Sequence, residues 1–149
     1  MNPILEAVAG TLPQLGFQTV EKKGLLLGGQ ILSWRGVMIN ISMMGRIKGT
    51  IAIGMEKAAA CKFASTMMMG MEVNELDELS QSAISEMANM VCANACTRFS
   101  QNGVTGVDIS PPVMLVGEGG KLTLPVNRVI TVAFLVDDIA VDIHIGLQE

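Results

Sequence analysis

The stretch that decides the fold covers residues 74–99 and reads NELDELSQSAISEMANMVCANACTRF. A helical rotation of about 100° per residue separates these residues into two faces. We expect the apolar face to pack on the core and the opposite face to lie in solvent. The predicted core face comprises Leu76, Ala83, Ile84, Met87, Val91 and Ala95, and the predicted solvent face comprises Ser82, Glu86, Asn89 and Ala93.

The ends of this helix also have sequence signals. Asn74 is predicted to cap its first turn, with Asp77 three residues later in a position close to that of a capping box. Asn102-Gly103 is a stop signal, so we expect the helix to end near Phe99.

The pattern on either side predicts two more helices and a set of short strands. The helices are expected over residues 3–15, with Asn2 as the N-cap, and over 57–69. The strands are expected over 18–21, 30–34, 37–43, 49–55, 113–116, 121–126, 129–136 and 139–147, with turns at 22–24, 35–36, 117–120 and 137–138. This order is typical of an α+β fold with a largely antiparallel sheet covered by helices, in one domain over residues 1–149.

Composition excludes several classes of function. Half of the 149 residues are apolar and only 16% are charged, which excludes a disordered chain. Four Phe, one Trp and no Tyr leave too few aromatic side chains for a base-stacking RNA binder. The net charge of −4 argues against contact with a phosphate backbone.

The chain also carries signals of its compartment. The apolar run at residues 132–136 is far shorter than the roughly 20 residues that a membrane span needs. The N-terminus lacks the basic and apolar regions of a signal peptide. The three cysteines are odd in number and lack the spacing of a disulfide framework, so we expect reduced thiols and a cytoplasmic protein.

Ser82, Glu86 and Asn89 form a polar strip on the exposed face of the long helix. They stand four and three residues apart, so their side chains are neighbours. The spacing alone is compatible with an ordinary solvated helix face. The charge pattern favours a partner, because no Lys or Arg lies between Lys62 and Arg98 whereas five acidic residues do. A face of one sign is suited to contact with a basic partner.

The residues around this strip carry a family signature. The pattern Ser82-x3-Glu86-x2-Asn89, followed by Pro112, resembles the signature of the CheC/CheX/FliY phosphatases. EMANMV at 86–91 is similar to the active helix of that family, and Met68-Met69-Gly70 is similar to the end of the helix before it. NPILEA at 2–7 looks like the opening of CheX proteins. The resemblance covers nearly the whole chain and implies a two-layer CheC-like fold.

The resemblance implies a hydrolase of chemotaxis or another two-component signalling pathway. CheX-like proteins remove the phosphoryl group from the aspartyl phosphate of a CheY-like response regulator. Asn89 would then enter the regulator's active site and orient the attacking water, and Glu86 would pair with the regulator's active-site lysine. Ser82 and Pro112 would support the helix and its docking. No metal or other cofactor is expected in this chain, because the regulator would bring its own Mg²⁺.

Two departures from the family pattern change the expectation. The first helix carries Glu6 but has Ala9 where a second motif would have Asn, so we expect one active site in each chain. Ala93 stands where many relatives have Gly, and its methyl group would alter how closely the partner approaches. Two alternatives stay open: a non-catalytic module that binds a regulator or a receptor-adaptor protein, and a structural dimerisation domain.

Other residues are better explained without catalysis. His144 is the only histidine, and strand alternation predicts that it lies on the surface. Cys92 and Cys96 are expected to be small buried thiols rather than a redox or zinc site. The glycine-rich segment 117–120 lacks the Lys-Ser/Thr of a phosphate loop and is predicted to be a turn.

The oligomeric state follows from the strands and from the resemblance. The C-terminal strands are rich in Val and Ile, and we expect them to present an edge that pairing with a second copy would protect. CheX-like proteins are dimers through their sheets, so the resemblance implies a homodimer. It implies no nucleic-acid or membrane partner.

Overall fold

The computed structural model describes residues 2–126 and 128–148, and of Asn2 the backbone only. Those residues form three α-helices packed against one face of a seven-stranded antiparallel sheet, which confirms the predicted α+β class. The helices are α1 (Asn2–Thr11), α2 (Lys57–Met67) and α3 (Glu78–Gln101), and a 3-10 turn at Leu12–Leu15 follows α1. The strands are β1 (Val20–Gly28), β2 (Ile31–Gly45), β3 (Gly49–Met55), β4 (Val107–Ile109), β5 (Val113–Thr123), β6 (Val129–Val136) and β7 (Ile139–Leu147).

The strand order corrects one expectation about the edges of the sheet. The order is β1-β6-β7-β3-β2-β4, and β5 pairs with the same side of β2 as β4 does. The C-terminal strands β6 and β7 are therefore interior, and the prediction that they present an edge is wrong. The reason is that β1, expected to be short, extends over nine residues and covers β6.

The main core lies between the helices and one face of the sheet. Strand alternation places every second side chain on that face, and α3 supplies the apolar side chains that pack against them. Phe17 and Phe63 join the 3-10 turn to α2, with ring centroids 4.3 Å apart. The buried contacts include Ile51, Ile53, Ile143 and Ile145 from the sheet and Ile84, Met87 and Val91 from α3.

A second, smaller cluster lies apart from the main core. Its buried members are Leu32, Met38, Ala52, Leu124, Val126 and Val129. Val126 packs against Gly146, where a Cβ atom would collide with its side chain. The segment after β5 thus packs on part of the sheet outside the main core.

Three predicted turns are not turns in the structure. β1 continues through residues 22–24, and β2 continues through Arg35-Gly36. β5 continues through residues 117–120, so the predicted strand at its far end belongs to the same strand. Register shifts at Lys22/Gly24 and at Trp34/Gly36 absorb the irregularity. These glycines therefore accompany bulges rather than chain reversals.

The helix ends differ from the prediction by a few residues. The first helix changes to 3-10 geometry at Leu12, because Pro13 cannot donate the hydrogen bond of a continuing α-helix. α2 ends at Met67 and not at residue 69. The predicted cap by the Asn2 side chain lies outside the described residues. Strand β4 was not predicted, because three residues carry too little periodic signal.

Candidate functional site

Hydrogen bonds at the first turn of α3 fix where the site helix begins. Asp77 is the N-cap: its Oδ1 accepts from the Ser80 backbone N–H at 2.9 Å and from the Ser80 hydroxyl at 2.8 Å. These bonds stabilise the carboxylate and lower the pKa of Asp77. Gln81 Nε2 donates to the Leu76 carbonyl at 2.7 Å. The prediction of Asn74 as the cap is wrong, because Asp77 performs that role and Leu76 precedes the helix.

The two faces of α3 match the helical pattern. Ile84, Met87, Val91 and Ala95 are buried, and Ala83 is half-buried. On the opposite side Ser82, Glu86 and Ala93 are exposed and Asn89 is half-buried. The polar strip predicted from the sequence therefore lies at the surface, on a helix whose other face is fixed in the core.

A β-bulge brings Pro112 to this strip. β2 pairs Met43 with Ile109 of β4, and then Asn40 with Val113 of β5. Residues 41–42 of β2 thus stand opposite residues 110–112, which means that one extra residue is inserted on the outer strand. Pro111 and Pro112 have no N–H to donate to a strand ladder. A bulge, where pairing is interrupted, therefore accommodates them without the loss of a hydrogen bond.

The helix and the bulge enclose an open groove of about 470 Å³. The four residues of the signature, which come from two separate segments of the chain, all line it. Spacing could have indicated Ser85, four residues before Asn89, whereas no sequence signal pointed to Met114. The lining residues are Glu78, Gln81, Ser82, Ser85, Glu86, Asn89, Pro112 and Met114.

Glu86 and Asn89 lie in the groove without a hydrogen-bond partner among the described residues. Across residues 2–126 and 128–148, no hydrogen bond or ion pair involves the Glu86 carboxylate or the Asn89 amide. Both groups are therefore available to a molecule that enters the groove. The only charged residues among its lining side chains are Glu78 and Glu86, so the groove carries negative charge.

The corresponding positions on α1 do not form a second site. Glu6 forms an ion pair with Arg98, in which Glu6 Oε2 lies 3.4 Å from Arg98 Nη1. Arg98 Nε also donates a hydrogen bond to Asn94 Oδ1 at 2.7 Å. Ala9 is exposed but has no polar group. The helix α1 thus contributes packing to α3, and its carboxylate is already paired.

His144 is buried, so its predicted surface position is wrong. The side chain is 8% exposed, and its Nδ1 lies 2.7 Å from the Thr131 hydroxyl. Its neighbours in the sheet are Ala52 of β3 and Thr131 of β6, so strands enclose it on both sides, which alternation along its own strand could not reveal. Burial lowers the pKa of His144, because it disfavours the charged imidazolium.

The cysteines have the character of inert thiols. Cys61, Cys92 and Cys96 are free, and burial raises the pKa of each of them. The pKa of Cys92 rises to about 12. Within the described ranges, no three His, Cys, Asp or Glu side chains are grouped so as to hold a metal ion. Nor does any helix in that part of the chain have the length and apolar character of a membrane span.

Comparison with known proteins identifies the family. The sequence profile of the family described as "Chemotaxis phosphatase CheX" matches residues 37–135, which contain α3 and Pro112. The chain belongs to the CheX family. A curated CheX-family relative, the CheY-P phosphatase CheX of Thermotoga maritima, is 38% identical over 82 residues, which are 55% of this chain and 52% of that protein. The match therefore spans about half the length of that relative.

Solved CheX structures have the same fold. The chemotaxis protein CheX of Vibrio vulnificus superposes with a TM-score of 0.86 at 21% identity, over 99% of this chain and 98% of that one. The chain matched in the CheX-CheY-BeF3-Mg²⁺ complex of Borrelia burgdorferi has a TM-score of 0.79 at 20% identity, over 99% and 97% of the two chains. At these identities the likeness establishes the two-layer fold of the family.

Proposed function

We propose that this protein is a phosphatase of the aspartyl phosphate of a CheY-like response regulator. The observation that carries the proposal is the convergence of Ser82, Glu86, Asn89 and Pro112 on one open groove. Membership of the CheX family supports it, as does the name of the Thermotoga relative, a CheY-P phosphatase. The enzyme is a hydrolase that completes the active site of another protein.

Asn89 is the proposed catalytic residue that orients water. An acyl phosphate is already activated, so its hydrolysis mainly requires a water held in line and stabilisation of charge on the phosphoryl oxygens. A carboxamide both donates and accepts hydrogen bonds, so it can fix the orientation of that water. The absence of any hydrogen bond from the Asn89 amide to the described residues supports this role.

Glu86 is the proposed contact that sets the register of the complex. Its exposed carboxylate lies one helical turn before Asn89, and it pairs with the active-site lysine of the regulator. Ser82 and Pro112 support the docked helix from the two sides of the groove. Attraction between the acidic groove and a basic site on the partner favours encounter as well as alignment.

The chemistry needs a divalent ion, and the regulator supplies it. Mg²⁺ in the regulator's site stabilises charge on the phosphoryl oxygens, and the proposal assigns no Mg²⁺ ligand to this chain. The Borrelia complex, which contains CheX, CheY, BeF3 and Mg²⁺, supports such a division between the two proteins. Three free thiols fit the reducing conditions of the cytoplasm, where we place the protein.

A homodimer is part of the same proposal, with β1 as its contact. Within the described sheet β1 pairs only with β6, which leaves its other edge open. Leu25, Leu26 and Leu27 are 53%, 69% and 70% exposed, although successive strand residues point to opposite faces. An edge strand with apolar side chains exposed on both faces favours pairing with a second copy.

Phosphoryl loss from a phosphorylated CheY-type regulator tests the proposal. The regulator is loaded with acetyl phosphate, freed of the donor, and followed alone, with the wild type, and with the double variant Glu86→Ala/Asn89→Ala. Gln101→Ala is the matched control, because Gln101 is exposed on the same helix but does not line the groove. We expect acceleration by the wild type and the control only. Binding of the regulator without acceleration would indicate the non-catalytic module instead.

A further inference from the structure

The bulge that carries Pro112 is held by an unusual pairing between Ser110 and Ser42. Opposite residues of an antiparallel ladder alternate between hydrogen-bonded and non-hydrogen-bonded pairs, and the two residues of a hydrogen-bonded pair exchange both of their main-chain hydrogen bonds. Here the Ser110 N–H donates to the Ser42 carbonyl at 2.9 Å, as expected. The Ser42 N–H, however, donates to the Ser110 hydroxyl oxygen at 2.9 Å rather than to the Ser110 carbonyl. A side chain thus replaces the main chain as the acceptor.

Because the Ser110 hydroxyl accepts from the Ser42 N–H, the outer strand can leave the ladder while that N–H keeps a hydrogen-bond partner. The Ser110 carbonyl is released from Ser42, so the chain can turn and insert one extra residue before pairing resumes between Asn40 and Val113. The Ser110 hydroxyl also donates to the Pro111 carbonyl at 3.3 Å, which ties the first proline to the same point. The result is a fixed path from β4 to Pro112.

Ser110 has no place in the groove itself. It is half-buried against β2, whereas Pro112 and Met114 line the groove beside Glu86 and Asn89. Without the hydroxyl, the Ser42 N–H loses this acceptor, and the acceptor that a regular pair of this kind provides is the Ser110 carbonyl. Formation of that regular bond would straighten the strand and withdraw Pro112 from the groove.

We infer that Ser110 is a positioning residue, whose hydroxyl sets the bulge that holds Pro112 on the wall where the response regulator docks. The inference rests on the proposed function, because it assigns the groove to that partner. Ser110 acts through Pro112, so its replacement changes the affinity for the regulator and not the rate of hydrolysis. The catalytic amide on α3 lies on a separate element.

The test measures the affinity of a CheY-type regulator, activated with beryllium fluoride and Mg²⁺, for four proteins. These are the wild type, Ser110→Ala, Ser110→Thr and the control Ser100→Ala, in which an exposed serine at the end of α3 is replaced. We expect Ser110→Ala to raise Kd about five- to tenfold, the effect of one lost hydrogen bond. Ser110→Thr keeps an acceptor and stays near the wild type. We expect turnover at saturating regulator to stay within about twofold of the wild-type value. A preparation that had lost folded protein would lose turnover as well.

Two further measurements distinguish positioning from general damage. Amide exchange at Ile51 and Ile53, in the interior strand β3, stays at the wild-type rate in Ser110→Ala, which verifies that the variant is folded. In a Pro112→Ala background, Ser110→Ala no longer changes Kd, because the proline ring that Ser110 positions is already absent from the groove wall.

The possible outcomes separate this inference from the proposed function. An unchanged Kd in Ser110→Ala, with wild-type exchange at Ile51 and Ile53, overturns the inference alone. A lower turnover at unchanged Kd does the same, since it indicates a structural role only. A wild type that binds but does not hydrolyse ends the proposed catalysis, while the Kd comparison still decides the role of Ser110. A wild type that does neither overturns both.

Discussion

Replacement of Gly36 by Ala tests how closely β2 packs beneath the start of α2. A Cβ atom at Gly36 would lie 2.5 Å from the Lys57 amide nitrogen and 2.7 Å from both the Glu56 carbonyl carbon and the Met55 carbonyl oxygen. All three are backbone atoms, so relief requires the helix to move. Gly70→Ala is the matched control, because its φ of +87° is close to the +80° of Gly36 but its surroundings are open.

The expected loss has two parts. The left-handed backbone costs each alanine variant about 1–2 kcal/mol in the free energy of unfolding. Only the variant at Gly36 adds the cost of overpacking, about 1–3 kcal/mol. Gly36→Ala should therefore lose about 2–5 kcal/mol in total, and the difference between the two variants should be about 1–3 kcal/mol.

Urea titration followed by circular dichroism measures both losses by linear extrapolation. Equal slopes in urea would show that the same transition is compared. If the two variants differ by less than about 0.5 kcal/mol, which is typical of changes at an open surface, the close packing of β2 against α2 is refuted. The site helix α3 packs against α2, so this contact also supports the groove.

Three further predictions concern pH, docking and assembly. Burial lowers the pKa of His144 below its ordinary value of 6.5, so as the pH falls below 6.5 the unfolded chain takes up a proton before the folded one does and stability falls. In urea titrations at falling pH, His144→Gln should lose less stability than the wild type, and equal losses would contradict this. Glu86→Lys should raise Kd for the regulator, since it places like charges together, and more so than Glu86→Gln; normal binding by Glu86→Lys counts against the ion pair. Leu26→Lys should convert a dimer into a monomer in sedimentation experiments, whereas an unchanged mass places the contact elsewhere.

The polar strip on α3 was predictable because it depends on local periodicity. Burial of Ile84, Met87 and Val91 follows from helical spacing alone, and it leaves Glu86 and Asn89 on the outer side. The approach of Pro112 could not be read from spacing, because it depends on two strands that pair with β2 in different registers. Only the resemblance to the family indicates that Pro112 is part of the signature.

Two of the wrong predictions share a physical cause. Glycine supports a turn or a bulge equally well, and the choice depends on which strand lies alongside. The sequence predicts a turn at Arg35-Gly36, yet β5 pairs on both sides of it and converts the irregularity into a bulge. The prediction that His144 lies in solvent fails because alternation gives the face of a strand but not what covers that face. Both errors concern contacts between residues that are distant in sequence.

The most direct test of the central claim separates chemistry from docking at Asn89. Both the rate of phosphoryl loss and Kd for the beryllium fluoride-activated regulator are measured with the wild type and with Asn89→Ala. We predict that the rate falls about 100-fold or more, the usual effect of removing a positioned catalytic group, while Kd changes little. An Asn89→Ala protein that hydrolyses the aspartyl phosphate at the wild-type rate would contradict the account.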